Sequence, residues 1–261
     1  MRLVDKKDIA TAFNRAVQTY DQQASLQREV ADSLIQQVLQ NITVGKILDA
    51  GCGTGYVAQK LKHNSQYHLT ALDLSENMLK QAKISQSAHD YVQGDIETLP
   101  FEDKTFDCVV SNLAMQWCHS LEKAITEQLR VLKSGGQLYI STLIQPSLWE
   151  LKKAWQTVDD AQHVMDFLSG EMLESHLAQL ELNQNVDHIV CRCYAKALMF
   201  DDIFDLLKSL QNIGATALPQ RQKGLMGKDQ LQKLANAYAV DEIDKKLPLT
   251  YYIAELMIIK S

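Results

Sequence analysis

The run Lys46-Ile47-Leu48-Asp49-Ala50-Gly51-Cys52-Gly53-Thr54-Gly55 constrains this chain more than any other stretch. Ile47 to Ala50 predict a buried strand, and the glycines at every second position predict a tight turn into a helix that begins near Tyr56. Glycine suits such a turn because its backbone takes positive φ, and because a ligand can approach where no Cβ stands in the way. The residue three after Gly53 is Tyr56, so the pattern is Gly-x-Gly-x-Gly rather than a dinucleotide fingerprint. A second strand, Tyr67 to Leu72, ends on Asp73, about 20 residues past the loop, where an acid can receive ribose hydroxyls. Taken alone the glycines could mark a structural turn; loop and acid together predict a nucleoside-bearing cofactor.

Along the chain, Ile9, Phe13, Ala16 and Tyr20 share one helical face, and Leu26, Val30, Leu34 and Val38 share another. Two helices ahead of the first strand exceed what the sheet needs, so at least one is expected to cover the cofactor; Tyr20 and Arg28 become candidates for that reason, against packing and solvated roles. Ser75 is placed to cap a helix carrying Met78, which is expected to face the loop. Asp90 to Gln93 predict a short third strand leading to Asp95 and Ile96, an acid that can accept from an exocyclic amine beside an aliphatic side chain that can lie on a purine. A fourth strand, Phe106 to Ser111, delivers Asn112, Leu113, Gln116, Trp117, Cys118 and His119 to a strand's carboxyl end, where open α/β sheets build their sites.

The next helix, with Leu121, Ile125, Leu129 and Leu132, is expected to end in a glycine cap at Ser134-Gly135-Gly136, with the fifth strand running from Gln137 to Ile144. Beyond it lie a helix around Leu148 to Val158, a mixed polar stretch to Asn185, an extended segment from Val186 to Phe200 long enough to contain a bulge or a break, a helix from Asp201 to Ile213, and a strand from Leu247 to Ile259. The fold class is therefore α/β: a Rossmann-like, doubly wound, mostly parallel sheet of seven strands with an antiparallel last strand and a helical cap. The expected division is 1–40 for the covering helices, 41–144 for the cofactor core, 145–246 for the cap with one sheet strand, and 247–261 for the final strand, all in one domain.

The chain has 261 residues, 46% of them hydrophobic, enough for such a core without staples. A net charge of -6 argues against nucleic acid as a partner. Five cysteines in no paired framework suit a reducing cytoplasm, and no run approaches the roughly 18 apolar residues of a membrane span, so a cytoplasmic protein with no membrane partner is expected. No metal site is expected: Cys191 and Cys193 lack a second pair at zinc spacing, and Cys118 and His119 are adjacent and diverge.

The order of Gly51-x-Gly53-x-Gly55, Asp73, Asp95-Ile96 and Asn112 resembles the class I S-adenosylmethionine-dependent methyltransferases. That resemblance implies S-adenosylmethionine as co-substrate, with the glycines under its methionine part, Asp73 on the ribose, Leu74 and Met78 bordering the adenine, Asp95 and Ile96 on its edge and face, and Asn112 and Leu113 near the sulfonium. A narrower resemblance spans almost the whole chain. Phe13-Asn14-Arg15-Ala16, Tyr20-Asp21, Leu26-Gln27-Arg28, Gly94-Asp95-Ile96-Glu97, Ser111-Asn112-Leu113-Ala114, Gln116-Trp117-Cys118, Ile213-Gly214-Ala215-Thr216 and Pro248-Leu249-Thr250-Tyr251 are similar to the malonyl-[acyl-carrier protein] O-methyltransferase family of biotin synthesis.

It implies methyl transfer to the free carboxylate of a malonyl group on acyl carrier protein. Tyr20 and Trp117 are candidates for closing over the methyl group, with plain core packing the alternative for Trp117, and Arg15 is a candidate for steering the substrate's anionic or carbonyl oxygen, with an exposed helix edge the alternative. An acidic carrier would need basic residues near the cap, for which Lys152, Lys153, Arg192, Lys196, Arg221, Lys223 and Lys228 are candidates. Transfer to another small carboxylic acid or free acyl thioester stays open. So does a nicotinamide oxidoreductase or a non-catalytic nucleotide-binding module.

Overall fold

The computed structural model describes residues 4–182, 186–215, 227–241, 243 and 245–261. Two helices, α1 (Lys6–Gln23) and α2 (Ser25–Asn41), precede β1 (Gly45–Ala50), and the Gly-x-Gly-x-Gly turn leads into α3 (Tyr56–Leu61). The alternation continues through β2 (Tyr67–Asp73), α4 (Glu76–Ile84), β3 (Asp90–Gln93), β4 (Phe106–Asn112), a 3₁₀ turn at Met115–Trp117, α5 (Leu121–Val131) and β5 (Leu132–Ile144). Then follow α6 (Trp149–Trp155), α7 (Gly170–Leu182), β6 (Val186–Phe200), α8 (Ile203–Asn212), α9 (Lys228–Ala237) and β7 (Leu247–Lys260).

The seven strands lie in the order β3-β2-β1-β4-β5-β7-β6. Pairing is parallel from β3 to β5, and β7 runs antiparallel to both its neighbours. The order reverses between β1 and β4, so the carboxyl ends of these two strands frame the crevice where sheets of this kind take ligands. Strands buried on both faces explain why β1, β4 and β5 read as apolar runs. Successive residues feed opposite layers: Leu48 and Val109 face the side covered by α5 and α7, whereas Ile47, Cys108 and Val110 face the side covered by α2 and α3. A third apolar cluster joins α6, α8 and α9 to the first half of β7 through Leu206, Leu234, Leu249 and Tyr251. The cap is thus anchored on a sheet strand.

Three expectations change. The helix before β5 stops at Val131 without a glycine cap: Leu132 is already extended, fully buried and paired with Phe106, and Gly135 (φ +74°) lies in a bulge that shifts the β4–β5 register. Within the stretch read as mixed polar, α7 buries Leu173, Leu177 and Leu180, a stripe too narrow to stand out beside the exposed Met172 and Leu182. Helix α9 was not anticipated; among its described side chains only Leu234 is buried. The Val186 to Phe200 segment is one unbroken strand whose pairing with β7 shifts register between Val186 and His188. Arg221, Lys223 and Thr216 lie outside the described residues.

Gly55 marks where the turn is least tolerant. Its φ is +92°, and a Cβ there would stand 2.6 Å from the Cβ of Ser87, at the end of the α4 connection. Gly55→Ala is therefore expected to lower stability by about 2–3 kcal/mol through combined strain and overpacking; an unchanged urea midpoint would contradict this.

Candidate functional site

At the switch point, β1 carries Asp49 next to its final residue Ala50, and the buried Asp49 side chain accepts from the Ala58 amide in the first turn of α3 (3.1 Å). The loop is pinned to the neighbouring strand by the Gly51 and Cys52 amides, which donate to the Leu72 carbonyl (2.8 and 2.9 Å). A Cβ on Gly51 would lie 2.5 Å from Ala114 Cβ and 3.2 Å from Ile96 Cδ1, so Gly51 lets the β1 and β4 loops close on each other. A Cβ on Gly53 would meet only the Tyr20 ring at 3.9 Å. Here the missing side chain leaves space beneath an aromatic.

Asp73, at the end of β2, accepts from the Gly53 amide through Oδ2 and from the Ser75 amide through Oδ1, both at 2.8 Å. Ser75 caps α4 as expected and donates to Asn14 Oδ1 on α1 (2.7 Å). Helix α1 is tied to the loop by Thr54 Oγ1, which donates to Asp21 (2.6 Å), and to the β3–β4 connection by Lys6, which pairs with Asp95 (2.9 Å) and with Glu97. Asn112 holds Gln27 and Ser141 together: its amide donates to the Gln27 carbonyl (2.9 Å), and its Oδ1 accepts from Ser141 (2.8 Å). Leu113 follows at φ +46°, a left-handed conformation held by two bonds from its amide to Ser141.

These elements enclose a cavity lined by Tyr20, Gly51, Gly53, Asp73, Leu74, Met78, Asp95, Ile96, Asn112 and Leu113, together with Lys6, Phe13, Ala114, Trp117 and others. Ten of the twelve residues expected at the cofactor are thus brought together. The other two, Gly55 and Arg28, line neither this cavity nor the one beside it; Gly55 is occupied with Ser87, and Arg28 donates to the Asp21 carbonyl. Arg15 is exposed on α1 and also lines neither.

Lys6 and Phe13 were not picked out as site residues. Lys6 meets Asp95 across 89 positions of sequence, and no local pattern signals that contact. Phe13 sits on the recognisable helical stripe, edge-on to Trp117 (centroids 5.3 Å apart, 89° between planes), and Gly214 (φ +74°) allows the end of α8 to approach it.

The second cavity lies between α1, the β4 loop and the cap, and shares Phe13, Tyr20, Leu113 and Trp117 with the first. Its remaining lining is mostly apolar, including Leu143, Leu148, Leu151, Phe167 and Leu210, with Gln27, Gln116, His163 and Tyr251 as polar members. Because its residues range from Phe13 to Tyr251, sequence alone did not reveal it.

The first cavity is acidic. Burial pushes the Asp49 carboxyl up to about 7 despite its bond from Ala58, and pushes Asp73 up to about 6 despite bonds from Ser75, Gly53 and Leu74. Burial also opposes the charge on Glu97, but bonds from Lys6, His119 and Ser120 outweigh it and hold this carboxyl below its usual range. The Cys118 thiol is pushed up to about 12 by burial, which makes it a poor nucleophile at neutral pH. His119 is held away from both cavities, with Nε2 2.7 Å from the Val4 carbonyl oxygen. Among the described residues no cluster of three or more histidine, cysteine or acidic side chains is set to hold a metal ion, and no helix is long and apolar enough to cross a membrane.

Residues 48–140 match the family model described as a methyltransferase domain. Malonyl-[acyl-carrier protein] O-methyltransferases are similar to the chain over nearly its full length: that of Erwinia pyrifoliae is 40% identical, covering 91% of this chain and 88% of the relative. The enzyme of Yersinia pestis is 41% identical (96% and 90% covered), and that of Salmonella typhimurium 38% (97% of each). Among solved structures, the YcgJ protein of Bacillus subtilis superposes with a TM-score of 0.62 at 17% identity, covering 89% of this chain and 98% of that one. The [4+2]-cyclase SpnF does so with 0.51 at 19%, covering 88% and 80%. These structural likenesses speak to the fold alone.

The raised carboxyls make a pH prediction. Asp49 has a folded value of about 7 against about 3.9 when unfolded, so the fold holds an extra proton between these limits. Its stabilising contribution is complete below about pH 4 and is lost as pH rises through about 7. Asp49→Asn, which keeps an acceptor for Ala58, should gain on the unliganded parent by roughly a few kcal/mol between pH 4 and 8. Equal stability differences at both pH values would contradict the assignment.

Proposed function

The chain belongs to the malonyl-[acyl-carrier protein] O-methyltransferase family, and from that premise we propose that it moves a methyl group from S-adenosylmethionine to the free carboxylate of malonyl-[acyl-carrier protein], in the cytoplasm, on the route to biotin. The observation that carries the reading is the wall of Phe13, Tyr20, Leu113 and Trp117, which belongs at once to a cofactor-shaped cavity and to a chamber suited to an acyl group.

The first cavity fits the co-substrate. Gly51 and Gly53 leave room at the loop, Asp73 offers carboxylate oxygens to ribose hydroxyls, Asp95 offers an acceptor to the adenine amine, and Ile96, Leu74 and Met78 offer apolar surface to the ring. A sulfonium supplies an electrophilic methyl, and the acidic side chains of Asp73 and Asp95 in the lining favour a positively charged ligand. Tyr20 and Trp117 present aromatic surface at the shared wall, where they exclude water and can stabilise a cation.

The nucleophile needs no base, since a carboxylate of reference pKa near 4 is ionised at neutral pH. One carboxylate oxygen bonds to the methyl carbon as the carbon–sulfur bond breaks, leaving a methyl ester and neutral S-adenosylhomocysteine. What the chain contributes is alignment at roughly 3 Å and a dry passage between the cavities. For the carrier protein, the cap's basic residues remain the candidate contact, although Lys152 and Lys196 are already paired with Asp166 and Glu29 (2.8 and 2.6 Å), which weakens the field they offer.

Expression in a biotin auxotroph blocked at malonyl methylation should restore growth without biotin; a stably expressed protein that fails to do so would contradict the reading. In calorimetry S-adenosylhomocysteine should bind and NADH should not. Asp73→Ala should weaken S-adenosylhomocysteine at least about tenfold, since a charged acceptor is lost. Unaltered affinity would remove Asp73 from the site.

A further inference from the structure

We propose that His163 receives the malonyl carboxylate in the second cavity, an assignment that rests on the methyl-transfer reading above. A carboxylate brought into this largely apolar chamber must find a charged or hydrogen-bonding partner, because stranding it there is costly. His163 is the one basic side chain among the described residues that line the chamber. Arg15, the residue type that the sequence suggested for the task, is exposed on α1 and lines neither cavity.

The histidine is held as a recognition group would be. Its ring stacks on Trp155 with centroids 3.6 Å apart and planes 11° from parallel, which fixes the ring plane against α6. Its Nε2 lies 2.7 Å from Asp159 Oδ1, and Nδ1 has no hydrogen-bond partner among the described residues. Asp159 is itself oriented by the Ala161 amide, which donates to the same oxygen (2.9 Å). The bond from His163, then that from Ala161, holds the Asp159 carboxyl below its usual range, so an aspartate anion stands ready as counter-charge to an imidazolium.

In that state Nδ1–H is a charge-assisted donor. It holds the carboxylate oxygen that does not attack and leaves the other free to face the wall shared with the cofactor cavity. The contact gives specificity as well as position, since an acyl group of the same shape but without charge cannot make it.

The test compares malonyl and isovaleryl carrier-protein thioesters, which are close in shape and differ in charge, binding to the full-length protein saturated with S-adenosylhomocysteine so that nothing turns over. His163→Phe keeps a ring on Trp155, and His163→Ala removes it. Both should weaken the malonyl thioester at least about tenfold and leave the isovaleryl thioester and S-adenosylhomocysteine unchanged. Equal losses for both thioesters would reveal a merely structural role, and a retained malonyl preference in His163→Phe would remove the residue from recognition; either result overturns the proposal. A parent protein that methylates malonyl thioester yet shows no charge preference overturns it too. One that forms no methyl ester overturns the methyl-transfer reading beneath it.

Discussion

The site depends on the closure of α1 across the carboxyl edge of the sheet. Four contacts hold that helix down: Lys6 on Asp95 and Glu97, Asn14 on Ser75, Asp21 on Thr54, and Tyr20 over Gly53. Together they join α1 to the chain that follows β1, β2 and β3, with Asp21 and Tyr20 both on the loop after β1, so the helix bridges the three strand ends. Without it the first cavity would lose Lys6, Ile9, Phe13 and Tyr20 from its lining, and the wall shared with the second chamber would keep only Leu113 and Trp117.

Closure buries acid. Asp73 and Asp95 line the crevice with Lys6 as the positive group among them, while bonds from Lys6, His119 and Ser120 keep the Glu97 carboxyl below the usual range. Burial prevails at Asp49 and Asp73, and a desolvated carboxylate is stabilised by a cation more than an exposed one is. A sulfonium ligand fits this balance better than a dinucleotide, whose phosphates would add negative charge. The loop agrees, since Gly-x-Gly-x-Gly spends its third glycine on packing against Ser87 and its first two on the crevice.

Much of this was legible because local patterns recorded it. The buried strands β1, β2 and β4 appear as apolar runs, the Ser75 cap as a serine before a helical stripe, and Asp73 by its distance from the loop. The cap was harder to read. Helix α7 packs through a single narrow leucine stripe and α9 buries little, so neither rises above its polar neighbours in sequence. Gly135 looked like a helix cap because a glycine pair followed the periodic residues, but complete burial of Leu132 beside Phe106 extends the chain earlier. Contacts such as Lys6 with Asp95, or a chamber assembled from Phe13 to Tyr251, have no local signature.

The central claim is that a carboxylate in the second cavity meets a methyl group presented from the first across the Phe13, Tyr20, Leu113 and Trp117 wall. Mass spectrometry of malonyl-[acyl-carrier protein] after incubation with S-adenosylmethionine labelled as trideuteromethyl tests it most directly. The account predicts one trideuteromethyl group per carrier, removable by ester hydrolysis and located on the malonyl carboxyl. Label on the carrier polypeptide, or an unlabelled malonyl group after prolonged incubation with active co-substrate, would contradict it.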